Sequence, residues 1–201
     1  MIVLIRHART VMAGRFCGHI DPPLSAQGVA QLEELKARLT KYPFTHIYSS
    51  DLQRALQTAE SVAGDYQLPV RVLPSLREIG FGDWEGLNWD EITARDPAYA
   101  QHWLSCFPTV AAPNGEDFSA LVHRIEAALN LIADEAQDGC AAVVTHAGVI
   151  CTFLNNVALS TGAPDLSVCK NCSCWELYRD ADQRWVAGAE PHTSPRTEAR
   201  H

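Results

Sequence analysis

The chain has 201 residues, of which 47% are hydrophobic and 20% are charged. This balance excludes a disordered chain and is typical of a folded protein with its own core. The formal net charge of −8 disfavours nucleic acid and anionic membranes as partners. We predict one domain over residues 1–190 and a polar tail over residues 191–201.

The amino-terminal residues do not resemble a secretory signal. Their apolar run is interrupted at Arg6 and His7, and no stretch approaches the ~20 apolar residues of a membrane span. The seven cysteines are odd in number and irregularly spaced, which argues against a disulfide framework. We therefore expect reduced thiols and a cytoplasmic location.

Short apolar runs alternate with amphipathic segments along the chain. Residues 2–5 form a continuous apolar run that is typical of a buried parallel strand. A helix follows after its N-cap Ser25 and ends at Pro43, and its predicted apolar face consists of Val29, Leu32, Leu35 and Leu39. Further strands are predicted at residues 45–48, 69–73, 141–145, 172–178 and 184–189, and further helices at residues 51–63, 89–104 with a break at Asp96-Pro97, 117–137 and 148–159. This alternation predicts an α/β fold, a three-layer α/β/α sandwich with a mostly parallel central sheet.

Cationic side chains follow several of the predicted strands. Arg6 and His7 come directly after the first strand, His146 follows residues 141–145, and Arg54 lies in the first turn of a helix that follows another strand. Ligands of open α/β sheets bind beyond the carboxyl ends of the strands, where helix N-termini also favour anions. The sequence therefore predicts a phosphate site.

These residue types fit phosphoryl transfer. Arginine neutralises a phosphate dianion through bidentate hydrogen bonds, and a neutral imidazole can attack phosphorus. A second, protonated histidine can stabilise the equatorial oxygens, and a carboxylic acid must protonate the leaving oxygen. Glu78 and Glu85, in a glycine-rich loop, are the candidates for that acid. The Cys-x5-Arg, Gly-x-Ser-x-Gly, Walker A and His-Glu-x-x-His motifs are absent from the sequence, so we predict neither a metal site nor a cofactor.

Five motifs in the first 150 residues resemble those of the histidine phosphatase, or phosphoglycerate mutase-like, superfamily. They stand in the same order as in that family. They are LIRHA at residues 4–8, DPPLSAQG at 21–28, SSDLQRALQTA at 49–59, LRE at 76–78 with GDWEG at 82–86, and VTHAGV at 144–149.

The resemblance implies a metal-independent phosphomonoesterase of the phosphoglycerate mutase-like fold. It implies that His7 is the nucleophile that becomes phosphohistidine and that Arg6 and Arg54 bind the phosphoryl oxygens. It implies that His146 stabilises the transition state and that Glu78 is the proton donor and then the base for water.

Three further residues are candidate substrate contacts. Thr10 falls where the family often has a hydroxyl that contacts the phosphate. His19 follows Gly18 in a loop near the predicted site, and Gly148 belongs to the second-histidine motif. The resemblance also implies that Glu85 supports the acid loop.

The sequence departs from the family pattern at two positions. Ala8 replaces the usual glycine beside the nucleophile, and Ala13 stands where many members have an asparagine that contacts the phosphate. One phosphate hydrogen bond is then expected to be missing or to come from another group.

FGDWEG at residues 81–86 and PNGEDF at residues 113–118 resemble the α-ribazole phosphatases of cobalamin biosynthesis. The resemblance implies that the substrate is α-ribazole 5′-phosphate or cobalamin 5′-phosphate, with residues 114–118 and Trp103 near the mouth of the site. The alternatives are a broad-specificity phosphatase, a mutase or, outside enzymes, an inactive relative that binds phospho-ligands. The sequence is compatible with a homodimer.

Two clusters have a functional and a structural interpretation. Cys169, Cys172 and Cys174 suggest zinc, but no matching second pair is present, and we favour core packing. The tryptophans of residues 84–103 form either ordinary core or a wall for an aromatic base, and we favour core.

Overall fold

The computed structural model describes residues 1–107, 109–156 and 169–188. Its strands are β1 (Ile2–Arg6), β2 (Phe44–Ser49), β3 (Val70–Val72), β4 (Cys140–Thr145), β5 (Cys174–Arg179) and β6 (Trp185–Ala187). Its helices are α1 (Ala26–Leu39), α2 (Gln53–Tyr66), α3 (Trp89–Arg95), α4 (Pro97–Cys106), α5 (Phe118–Ala136) and α6 (Ala147–Asn156). Short 3₁₀ turns cover Pro74–Leu76 and Gly82–Trp84.

The strands form one mixed sheet in the order β3-β2-β4-β1-β5-β6. The first four of these strands are parallel to one another, whereas β5 pairs antiparallel with both β1 and β6. β1 and β4 are adjacent and in register, with Arg6 opposite Thr145. This pairing brings the residues that follow the two strands to the same edge of the sheet, which confirms the α/β fold and the predicted juxtaposition of strand ends.

Helices cover both faces of the sheet because the apolar strands alternate their side chains between two cores. Val3 and Ile5 pack with residues of α1 and α2 on one face. Ile2 and Leu4 pack with residues of α5 and α6 on the other face. The three predicted layers are therefore present.

A third apolar cluster surrounds α3 and α4. Trp84 and Trp103 are buried there, and the ring of Phe16 makes edge contacts with both. The side chain of Asn88 caps α3 in a reciprocal capping box with Glu91, and a new N-cap at Asp96 starts α4. The tryptophans are thus core residues, as we favoured, and the predicted break at Asp96-Pro97 is confirmed.

The structure corrects two details of the predicted elements. The helical period places Val29 on the apolar face of α1, but its side chain is 55% exposed, whereas Leu32, Leu35 and Leu39 are buried. The sequence pattern predicts a strand from Cys172, but Cys172 lies in a turn with φ of 61°, and β5 begins only at Cys174. Ser25 caps α1 as predicted by accepting a hydrogen bond from the Gly28 amide.

Two predictions fall outside the described residues, namely the end of the last helix at residue 159 and the tail over residues 191–201. Among the helices that the structure describes, none has the length and hydrophobicity needed to cross a bilayer.

Candidate active site

A cavity of about 380 Å³ opens at the carboxyl ends of β1 and β4. Its polar wall contains both arginines and the acid that the sequence singled out. The polar lining residues are Arg6, His7, Arg9, Thr10, Arg15, Arg54, Glu78 and Asn171, and the others are Met12, Ala13, Gly14, Phe16, Cys17 and Phe81.

The first histidine is held by the extension of the β1–β4 ladder. The His7 amide donates to the Thr145 carbonyl at 3.0 Å, and the Asn171 side chain donates to the His7 carbonyl at 3.0 Å. The ring Nδ1 lies 2.7 Å from the Ala8 carbonyl, which can only accept. Nδ1 therefore carries the proton, and Nε2 keeps its lone pair.

Burial keeps this imidazole neutral. Loss of solvation, followed by the positive charges of Arg54 and Arg6, lowers the pKa of His7 to about 3. A neutral ring with a free Nε2 is the form that can attack phosphorus.

The second histidine stacks edge-on against the first. The ring centroids of His7 and His146 lie 5.1 Å apart, and His146 is completely buried. Neither ring nitrogen of His146 has a hydrogen-bond partner among the described residues. Burial, together with His7 and the two arginines, lowers the pKa of His146 well below its usual value. The lowered pKa favours the neutral form of His146 while the site holds no anion.

Arg54 both shapes the cavity and faces it. Its Nη atoms donate at 2.8 Å to the carbonyls of Cys17, Gly18 and Ile20, so that its side chain fixes the loop opposite α2. Its buried Nε has no partner within the described ranges.

Arg6, like Arg54, binds a backbone carbonyl and also lines the cavity. Nη1 donates to the Cys169 carbonyl, and the buried Nε is unpaired among the residues that the structure describes. Unsatisfied buried N–H groups are costly, and an anion is the ligand that pairs with guanidinium N–H groups best.

Glu78 reaches the cavity from the loop after the first 3₁₀ turn. Its Oε1 accepts a hydrogen bond from the Ile79 amide, and its Oε2 accepts one from the Gly148 amide, both at 3.0 Å. Gly148 lies in the first turn of α6, directly after His146 and Ala147. The carboxyl group is therefore oriented by the same helix start that carries the second histidine.

Glu85 lies outside the cavity wall and joins two loops. Its carboxylate accepts hydrogen bonds from the amides of Gly18, His19 and Ile20 on one side and of Phe81 on the other, at 2.9–3.1 Å. This is the supporting role that the resemblance implied.

Of the three candidate substrate contacts, one lines the cavity and two do not. Thr10 is buried and lines the cavity. His19 is exposed and does not line it, and the amide of Gly148 is already donated to Glu78. Trp103 and Phe118 do not line the cavity either: Trp103 is buried in the aromatic cluster around α3 and α4, and Phe118 packs against the core around α5.

Sequence reasoning missed most of the wall formed by residues 9–17. Phe16 and Phe81 meet edge to face at 5.0 Å and give the cavity an apolar side with Met12. A backbone pair between Phe16 and residues 86–87 holds this wall in place. No regular periodicity marks these residues, so only their proximity to Arg6-His7 could have suggested them.

The two departures from the family pattern have clear surroundings. The Ala8 amide donates to the Thr58 hydroxyl at 3.1 Å, and the residue is completely buried in the core shared with α1 and α2. Ala13 lines the cavity, and its methyl group can supply no side-chain hydrogen bond there.

The model of the histidine phosphatase superfamily (branch 1) matches residues 2–189. The chain belongs to this superfamily. Membership confirms the predicted family and the predicted enzyme class, a phosphoric monoester hydrolase.

Individual members of the superfamily resemble the chain over most of its length. An adenosylcobalamin/α-ribazole phosphatase of Escherichia coli K12 is 34% identical over 149 residues, which cover 73% of each chain. A metal-independent phosphoserine phosphatase of Arabidopsis thaliana is 33% identical and is covered to 78%, with 92% of this chain matched. The crystal structure of the α-ribazole phosphatase of Shigella flexneri superposes with a TM-score of 0.78 at 26% identity, covering 95% of this chain and 96% of that one.

Proposed function

We propose that this histidine phosphatase hydrolyses phosphomonoesters through a phosphohistidine on His7. The observation that carries the proposal is the neutral His7 ring, whose proton is fixed on Nδ1 beside two arginines with unpaired Nε groups. The carboxyl group of Glu78 lines the same cavity.

In the first step His7 Nε2 attacks phosphorus, and the bond from phosphorus to the ester oxygen breaks. Arg6 and Arg54 balance the negative charge of the phosphoryl oxygens, and His146 donates a hydrogen bond to one of them. Glu78 gives its proton to the leaving oxygen, so that a neutral alcohol departs.

In the second step the ionised Glu78 accepts a proton from water. The water oxygen attacks phosphorus, the bond to Nε2 breaks, and inorganic phosphate is released. Glu78 is again protonated and His7 is again neutral, so that both groups are ready for the next ester. This cycle needs no metal and no cofactor.

We propose α-ribazole 5′-phosphate, or the corresponding cobalamin 5′-phosphate, as the substrate. The names of the relatives from Escherichia coli and Shigella flexneri support this choice. The apolar wall of Met12, Phe16 and Phe81 also supports it, because aromatic rings pack favourably against the aromatic base of such a leaving group. The relative named a phosphoserine phosphatase supports a second candidate, a phosphatase for small phosphorylated acids.

Phosphate release from a panel of esters tests both statements. Wild type and His7→Ala are compared with α-ribazole 5′-phosphate, phosphoserine and 4-nitrophenyl phosphate in the presence of EDTA. We expect strong preference of the wild type for the α-ribazole ester and no turnover by the variant. Equal cleavage of all esters would refute the substrate, whereas activity of His7→Ala or inhibition by EDTA would refute the mechanism. Tight binding of the esters without any turnover would favour the inactive relative.

Detection of the intermediate tests the mechanism directly. The phosphorylated protein is trapped at alkaline pH, where phosphohistidine is stable, and mass spectrometry then locates the added phosphoryl group. We expect it on His7, and a phosphoryl group on any other residue would contradict the proposal.

We propose a single domain over residues 1–190, a cytoplasmic location and no binding to nucleic acid. The possible homodimer is tested by sedimentation of the purified protein.

A further inference from the structure

An arginine outside the cavity wall binds the loop that carries Glu78. Arg124 lies on α5, and its Nη1 donates at 2.7 Å to the carbonyls of Ser75 and Arg77. Its Nη2 donates to the Glu78 carbonyl at 3.1 Å. One side chain therefore fixes three backbone carbonyls within four consecutive residues.

Glu116 extends this contact to the other side of the acid. Arg124 Nε and Nη2 donate to the two carboxylate oxygens of Glu116 at 2.6 and 2.8 Å. Glu116 in turn accepts a hydrogen bond from the Gly80 amide at 3.2 Å, and its own amide donates to the Gly80 carbonyl at 2.8 Å. The backbone is thus held both before and after Glu78.

The hydrogen bonds of Arg124 use the full donor capacity of its guanidinium. That group has five N–H donors in a fixed planar fork. One donor on Nε and two on each Nη are engaged by Glu116 and by the carbonyls of Ser75, Arg77 and Glu78. No donor is left for a substrate anion, which distinguishes this arginine from Arg54 in the cavity.

We propose that Arg124 and Glu116 are positioning residues that hold Glu78 at the leaving oxygen of the ester. This inference rests on the proposed function, in which Glu78 is the general acid. A general acid contributes about 10²–10⁴-fold in rate and works only within hydrogen-bond reach of the atom that it protonates. A displacement of ~1 Å can cost about 10²-fold, so release of the 75–80 loop weakens proton donation while the phosphate contacts remain.

The dependence of the rate on the leaving group separates positioning from a structural role. A good leaving group such as 4-nitrophenolate departs without a proton, whereas an unsubstituted phenolate needs one. We therefore measure kcat/KM, which reports on the first transfer to His7, across a series of substituted phenyl phosphates. The variants are Arg124→Lys and Glu116→Gln, with Glu78→Gln as the reference for a lost acid.

The matched control is Arg71→Lys. Arg71 lies on the edge strand β3, where its side chain is 52% exposed, and its guanidinium pairs with Glu135 at 2.6 Å and with the Tyr48 hydroxyl rather than with the 75–80 loop. Lysine keeps the charge but offers three donors on one atom, so it cannot reproduce the five contacts of Arg124. Thermal unfolding of each variant monitors the fold, and Glu116→Gln carries the test if Arg124→Lys does not fold.

We expect the slope of log kcat/KM against leaving-group pKa to steepen in Arg124→Lys and in Glu116→Gln, as in Glu78→Gln. The loss should approach about 10²-fold for phenyl phosphate and stay within about threefold for 4-nitrophenyl phosphate. If the slope steepens in Glu78→Gln, two results would overturn the positioning role of Arg124 and Glu116. One is an equal loss of kcat/KM for all esters in their variants, and the other is a wild-type slope in those variants. An unchanged slope in Glu78→Gln would instead refute Glu78 as the acid, and this inference with it.

Discussion

Gly148→Ala provides a small, defined displacement of the proposed acid. A Cβ added at Gly148 would lie 2.3 Å from Glu78 Oε1, whereas ordinary contact begins at 3.4 Å. The two atoms must therefore separate by about 1.1 Å, the difference between these distances. The carboxyl group is the end of a flexible side chain and can yield, so the acid moves rather than the helix.

Stability and activity should then change independently. Alanine is favoured over glycine inside a helix by ~1 kcal/mol, which roughly offsets the weakened hydrogen bond from residue 148 to Glu78. A misplacement of ~1 Å in a catalytic group costs about 10²-fold. We therefore expect an unfolding free energy within about 1 kcal/mol of wild type and a loss of about 10²-fold in kcat/KM for phenyl phosphate.

Steady-state kinetics and urea unfolding test both parts, with Gly64→Ala as the control. Gly64 lies inside α2, and an added Cβ there meets no atom within 4 Å. That variant should be fully active and slightly more stable. Full activity of Gly148→Ala would refute the reasoning, because it would mean that the position of Glu78 is unimportant for turnover.

Three further predictions concern other parts of the site. Arg54→Lys should lower kcat/KM by at least about 10²-fold in the same phosphate-release assay, because lysine cannot bind the phosphate and the three loop carbonyls together. The unfolding free energy should fall as the pH drops from 6.5 to about 3, because His7 takes up a proton in the unfolded chain before it does so in the folded protein. The lowered pKa of His7 corresponds to at most about 5 kcal/mol of stability. Urea unfolding at a series of pH values should show a flatter profile for His7→Gln, and an identical profile would contradict the lowered pKa. Phe16→Ala should raise KM more for α-ribazole 5′-phosphate than for phosphoserine, and equal effects would argue against an aromatic leaving group at this wall.

The sequence predicted the central part of the fold because buried parallel strands and helical periodicity leave strong patterns. Strands β1 and β4 are continuous apolar runs, and both are completely buried apart from the partly exposed Arg6. The patterns do not reveal how far a neighbouring element extends. Val29 fits the helical period of α1, but no element covers it, and Cys172 fits a strand but adopts a left-handed turn.

Some residues of the site could be predicted from the sequence and others could not. Residues next to strand ends, such as His7 and His146, were predictable because topology alone brings those ends together. The wall around Phe16 and the contacts of Arg124 with the 75–80 loop depend on residues that are tens of positions apart in the sequence. The hydrogen bond from the Gly18 amide to the Glu85 carboxylate is an example. An arginine in an amphipathic helix is ordinarily solvated, so that nothing in the sequence of α5 distinguishes Arg124 from its neighbours.

Burial and the positive charges of the cavity act in the same direction on the two histidines beside Arg6 and Arg54. Burial is the largest cause of the lowered pKa values of His7 and His146, and the positive charges of Arg54 and Arg6 lower them further, which preserves the lone pair that the nucleophile needs. A bound phosphate dianion would place negative charge against the same arginines and so raise the pKa of His146. Neutral His146 offers one N–H donor, and its protonation beside the bound anion would add a second. A single set of arginines thus serves the nucleophile before binding and the phosphoryl oxygens afterwards.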